Sequence, residues 1–176
     1  SSGAGGDGAF QPNLIQKGPA SSNYTSPANA SKFYAYAFAG GGGSGGKGPT
    51  SQSGAGGTGG FGFFTGSLQA STTYAYNVGA GGNGGNPADP QGNPGNAGGA
   101  TNVGSLFTVN GGNGGQGGRQ PGQNGSPGNA GSAPGAAQNL PSRAYLFGET
   151  LGDGGDRVPN NMSSGQTGSA GGLAFY

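Results

Sequence analysis

Glycine recurs in this chain with a strict period of three, and that recurrence limits the available folds more than any other feature. The register is plain in Gly41-Gly42-Gly43-Ser44-Gly45-Gly46-Lys47, in Gly54-Ala55-Gly56-Gly57-Thr58-Gly59-Gly60, in Gly81-Gly82-Asn83-Gly84-Gly85-Asn86, and again across 111–119. Neither the 3.6-residue period of an α-helix nor the two-residue period of a strand fits it. Three residues per turn is the period of a polyproline II helix, which makes no hydrogen bonds within itself. Its N–H and C=O groups must therefore bond to neighbouring segments, and faces without side chains let those neighbours come close enough. Ordering glycine is entropically costly, so such tracts are expected side by side in a bundle or sheet, where many backbone bonds form together. A second form has one glycine per triplet, at Gly92, Gly95 and Gly98 and at Gly122, Gly125, Gly128 and Gly131. It is collagen-like but too short and interrupted for a triple helix, and a single-chain bundle or ordered loops is the expected arrangement. The competing reading of every tract is a flexible linker.

Between the tracts lie short segments with strand character, at 10–16, 32–39, 61–69, 72–78, 105–109, 143–151 and 172–176. In Phe33-Tyr34-Ala35-Tyr36-Ala37-Phe38 and Tyr74-Ala75-Tyr76-Asn77-Val78, large side chains return at about every second position, as on a pleated strand. A small aromatic core is the expected use of these rings. Only 29% of the 176 residues are apolar, so a large aliphatic core is excluded. Disorder is disfavoured as well, because charged residues are 6%, net charge is +1, and 7 Tyr and 9 Phe are grouped rather than scattered. The fold class predicted is all-β: a small aromatic-core β-sandwich combined with packed polyglycine segments, and no helix of note. The 176 residues read as a single glycine-rich domain, with 1–31 an N-terminal extension or loop, 32–118 the glycine-rich β core, 119–142 a Pro/Gly/Asn loop and 143–176 C-terminal strands.

Chemistry is scarce. His, Cys and Trp are absent, which removes thiolate nucleophiles, imidazole bases and disulfides and leaves an enzyme unexpected. No cofactor is expected, since the glycine tracts lack the Gly-Lys-Ser/Thr of a phosphate-binding loop. The one acidic cluster, Glu149, Asp153 and Asp156, reads as a weak calcium-loop candidate or as a surface turn partnered by Arg157. Lys17, Lys32, Lys47, Arg119, Arg143 and Arg157 are spread singly along the chain, so nucleic-acid binding is not expected. No apolar run has the length of a membrane-spanning helix, and membrane insertion is not expected either. The chain opens on Ser with no signal peptide, which reads as a processed product or a fragment of something longer.

The ordered series of motifs resembles the glycine-rich domains of phage tail-fibre and tail-tip proteins. The residues that carry the likeness are Phe33 to Phe38 running into 40–48, then 61–68, then 72–78 ending in Val78-Gly79-Ala80-Gly81-Gly82, then 96–104, and 106–109 running into 110–118. The final 171–176 resembles a closing strand. The chain is also similar to the receptor-binding tips of T-even-like phages, in which polyglycine helices form a sandwich whose end loops contact the host. The resemblance implies an extracellular or virion protein that binds a host-surface glycan or protein and assembles with copies of itself or other fibre proteins. Loops with non-glycine residues are the expected contacts: Tyr24 in 21–30, Asn86, Asp89 and Gln91 in 86–91, and Arg119, Gln123 and Asn124 in 119–124. A second reading is a structural subunit of a filament, sheath or capsid decoration, assembled through the terminal Leu173, Phe175 and Tyr176. A third is ice binding, since triplet-glycine bundles resemble springtail antifreeze proteins.

Overall fold

The structure is a computed structural model, and it describes residues 14–49, 51–119, 124–135, 168 and 171–175. Eight strands form two four-stranded antiparallel sheets, and no helix is present among these residues. One sheet has the order β1(Leu14–Lys17), β8(Gly172–Phe175), β3(Lys32–Phe38), β4(Phe61–Ser67); the other has β2(Ala20–Thr25), β5(Thr73–Val78), β6(Thr101–Val103), β7(Phe107–Val109). The all-β expectation is borne out.

The aromatic periodicity does what a two-residue repeat requires. Phe33, Ala35 and Ala37 of β3 point inward and are buried, as are Phe64 of β4, Tyr76 and Val78 of β5, Val103 of β6 and Phe107 and Val109 of β7. Phe107 carries the contact between the sheets: its ring stacks on Phe64 with centroids 4.5 Å apart and lies 6.0 Å from Phe33. Tyr34, Tyr36 and Phe38 face the other way along β3 and meet Phe63 and Phe61 across the β3–β4 pair.

Two strand connections are long hairpins whose stems change from strand to polyglycine helix, and a third hairpin of the same kind leaves β7. After Phe38 the chain leaves the sheet as tract 40–48, turns, and returns as 51–60 into β4, with Ala39, Gly42 and Gly45 donating to Gly60, Gly57 and Gly54. Tracts 79–86 and 92–100 connect β5 to β6 in the same way, and 110–118 leaves β7 to pair with 125–132. A further segment, holding Gly168 and Gly171, bonds to Gly82 and Gly79 on its way into β8. Every third residue donates to a given neighbour, so the tracts have the bonding of a polyglycine bundle.

Tract 40–48 is the axis of that bundle. Gly40, Gly43 and Gly46 donate to 92–100, and Gly42 and Gly45 donate to 51–60. The carbonyls of Gly41 and Ser44 accept from 79–86, and those of Gly40, Gly43 and Gly46 accept from 110–118. Residues 40–46 are all buried. A Cβ added at Gly43 would fall on the Asn83 carbonyl, and one at Gly42 on the Asn113 carbonyl. The outer tracts carry a side chain wherever a face has no neighbour: Asn110, Asn113 and Gln116 are exposed, while Gly112 and Gly115 abut Gly57 and Gly54. The one-glycine triplets belong to the same bundle, with Gly92, Gly95 and Gly98 turned to the axial tract and Gly125 and Gly128 to tract 110–118. Sandwich and bundle are joined by Thr101, fully buried, whose hydroxyl donates to the Phe38 carbonyl at 2.8 Å and accepts from Gly79 N–H at 3.0 Å.

Several expectations are corrected here. Residues 14–17 and 20–25 of the expected N-terminal extension are paired strands, β1 on β8 and β2 on β5. Tyr24 is in β2, not a loop, and its ring is in the core at 9% exposure. β2 and β6 escaped the sequence reading because Ala-Ser-Ser-Asn-Tyr-Thr and Thr-Asn-Val hold too few large apolar residues to show a period. Leu173, expected at an assembly surface, is fully buried in β8, which pairs on both edges with β1 and β3. Residues 125–132, expected within a loop, are a packed tract. The candidate strand 143–151 and residues 10–13 and 176 lie outside the described residues.

Two stability predictions follow from this packing. Gly115→Val drives a side chain into the Gly54 carbonyl and is expected to cost about 3 kcal/mol, whereas Asn113→Ser on the exposed face changes stability by less than about 0.5 kcal/mol; thermal or denaturant unfolding measures both. Phe107→Ala, which removes the ring between the sheets, is expected to cost about 3 to 5 kcal/mol in the same assay.

Candidate functional site

The outgoing tracts 40–48, 79–86 and 110–118 run parallel to one another: Gly82 and Gly85 donate to Gly41 and Ser44, while Gly112, Gly115 and Gly118 donate to Gly40, Gly43 and Gly46. Each then turns back, so the connecting segments must gather at the end of the bundle away from the sandwich. At about 3.1 Å per residue, a nine-residue tract holds that end roughly 28 Å from the sheets.

The turns are stitched to each other. Ala88 N–H donates to the Lys47 carbonyl at 3.4 Å, Gly118 N–H to the Gly46 carbonyl at 3.0 Å, and Gly92 N–H to the Gly118 carbonyl at 2.9 Å. Gln91 and Arg119 form an antiparallel β-bridge. Asn124 accepts from the backbone N–H of Gln52 through its side-chain Oδ1 at 3.0 Å, which ties the third turn to the first. Prolines stiffen these turns, with Pro49 in the first and Pro87 and Pro90 in the second, where the Asp89-Pro90 bond is cis.

Of the residues expected to contact a receptor, Asn86, Asp89, Gln91, Arg119 and Asn124 come together at this tip, and all five are exposed. Tyr24 is elsewhere, in the sandwich core, and Gln123 lies outside the described residues. The sequence reading missed the first turn. Lys47, Gly48 and Pro49, with Pro87 and Ala88 of the second turn, line an open pocket of about 250 Å³. The break in the glycine triplet at Lys47-Gly48-Pro49 was the available signal, of the same kind as the break at 86–91. Beside it, Ser51 is 1% exposed and its Oγ, which lies against Gly48 and Gly118, has no hydrogen-bond partner among the described residues.

The described charge of the bundle lies at the same place. Among the described residues of the bundle the only charged side chains are Lys47, Asp89 and Arg119, all at the tip; Lys17 and Lys32 are in strands of the sandwich. The sides of the bundle carry amides, hydroxyls, methyl groups and proline rings. Glu149, Asp153 and Asp156, the weak calcium candidates, lie outside the described residues, and no group of metal-binding side chains occurs among the described ones.

Loss of the Asn124 side chain is expected to release the first turn from the third. Asn124→Ala lowers stability by about 1 kcal/mol and speeds amide exchange at Gln52, while exchange at Gly43 and Gly46 on the axis is unchanged; hydrogen-exchange measurements separate the two.

A family model for a glycine-rich domain matches residues 16–175. Among curated proteins no sequence matches the chain. The match takes in every strand described above apart from the first residues of β1, and the chain belongs to the family of glycine-rich domains.

Proposed function

We propose that this member of the glycine-rich domain family is a non-enzymatic component of a phage tail fibre or tail tip, working outside the cell as a rigid spike that presents loops to a host-surface receptor. The observation that carries this reading is the convergence of the three turns, with all the described charge of the bundle, at the end farthest from the sandwich. Binding loops held by a rigid scaffold lose little entropy on contact, and proline-containing turns lose less still. Among the described residues the sides of the bundle carry no charge, which suits a role in which only the tip discriminates between surfaces.

The ordered alternation of aromatic strands and glycine tracts adds the virion context, because it resembles tail-fibre domains. Attachment to further fibre proteins or to copies of this chain is assigned to the sandwich, which leaves the tip for the receptor. A filament assembled through the terminal strand is less well supported: β8 is an inner strand with Leu173 in the core, and has no open edge to offer a neighbour.

Replacing 86–91 with Gly and Ser is expected to abolish adsorption to host cells while the melting temperature stays within about 2 °C of the parent, the shift that roughly 0.5 kcal/mol produces. Adsorption that survives this exchange together with Arg119→Gln would remove the tip from the function.

A further inference from the structure

We infer that the outer edge of β2 is a pairing edge for a second copy of this chain, the two β2 strands running antiparallel about a two-fold axis through Asn23. This rests on attachment being assigned to the sandwich and does not involve the tip. β2 ends its sheet, with β5 as its neighbour. Ser26 N–H donates to the Thr72 carbonyl at 2.9 Å, and these two residues continue the register of Thr25 opposite Thr73. Bonded and non-bonded pairs alternate in an antiparallel ladder, so Tyr24, Ser22 and Ala20 bond to β5. The far side of β5 agrees. Gly104 N–H donates to the Ala75 carbonyl at 2.7 Å, which turns Ala75 and Asn77 to β6 and leaves Tyr74, Tyr76 and Val78 for β2. The N–H and C=O groups of Ser21, Asn23 and Thr25 therefore point away from the sheet, and all three residues are exposed.

Sheet ends are protected by shortness, proline, charge or a bulge. β1 and β7 have four and three residues, and β4 carries Gly62 and Gly66, which weaken a strand. β2 has six residues, paired one to one with β5, and holds no proline and no charge. Its sequence is also self-complementary. Pairing about Asn23 sets Ser21 against Thr25 of the partner subunit and Asn23 against its own copy, on the face opposite the core, where small neutral side chains can bond across the strand pair. A charged residue on the axis would face itself, and none is present in Ala20–Thr25. Ser22 and Tyr24 meet on the other face. Two copies joined in this way cover the edge in both, so the contact is closed and assembly through it stops at a dimer.

Sedimentation of the purified protein at rising concentration is expected to show a reversible dimer. Hydrogen exchange at Ser21, Asn23 and Thr25 is expected to slow as the dimer forms, while exchange at Ser22 and Tyr24, already bonded to β5, stays constant. Asn23→Pro removes an outward N–H and no bond to β5. It is expected to weaken the dimer about tenfold or more, since two bonds are lost across the axis, and to leave the melting temperature of the monomer nearly unchanged. Asn23→Lys keeps every backbone bond but sets two like charges together, so it weakens the dimer in a way that added salt reverses; Asn23→Ser leaves the dimer as it was. A monomer at every concentration overturns the inference. So does a dimer that survives Asn23→Lys, or one that leaves exchange at the three outward amides unmoved; where Asn23→Pro fails to fold, Asn23→Lys decides. Protection of those amides only when another fibre protein is added overturns the second copy and keeps attachment on the sandwich. Oligomeric state and adsorption are read separately, so loss of the dimer leaves the receptor reading at the tip to its own test.

Discussion

The backbone hydrogen bond between neighbouring polyglycine tracts is the interaction on which the molecule depends. A three-residue turn cannot close bonds within itself, so the N–H and C=O groups of tract 40–48 bond to other tracts, and they do so on four sides. Each such bond contributes about 1 kcal/mol net, while ordering a residue's backbone costs about 1 to 2 kcal/mol. A single pair of tracts would not hold. The bundle forms because one ordered tract serves several neighbours at once, and because close packing adds dispersion contacts and Cα–H···O contacts along its length.

The sandwich supplies what the bundle lacks. Its rings and β-branched side chains are the main apolar material of the described fold, with Phe107 stacked on Phe64 between the sheets. Burying these groups fixes the ends of the stems at β3, β4, β5, β6 and β7, so the tracts start in register. Thr101 marks the junction, its hydroxyl bonded to Phe38 on one sheet and to Gly79 at the root of a tract leaving the other. The polar contact costs little there because the hydroxyl has both a donor and an acceptor to meet. Stability and rigidity thus come from different halves of one domain.

This division frees the turns. A hairpin stem that needs no side chains for its own packing imposes few demands on its connecting residues, so Lys47 to Pro49 and 86–91 hold charges that the described stems lack. The stems also fix position: residues at the tip are held by bonds running back to the sheets. Five of the residues read from the sequence as contacts arrive at that tip, while Tyr24, judged a contact by its place in a polar stretch, turns inward because β2 pairs with β5 and alternation points its ring to the core.

What the sequence determined by itself was local. The triplet of glycines specified helices of three residues per turn with bare faces, and the aromatic alternation specified strands with one buried face; both are short-range periods that survive without any knowledge of neighbours. The number of glycines per triplet even reports how many faces of a tract are covered, as the all-buried 40–46 and the half-exposed 92–100 illustrate. Tertiary structure decided which tract lies on the axis, that β8 closes the first sheet between β1 and β3, and that Lys47 and Arg119, isolated in the chain, share one tip. Those outcomes depend on register between distant segments. A glycine repeat is identical at every step, so the register comes from the strands that anchor the stems, and no local pattern records it.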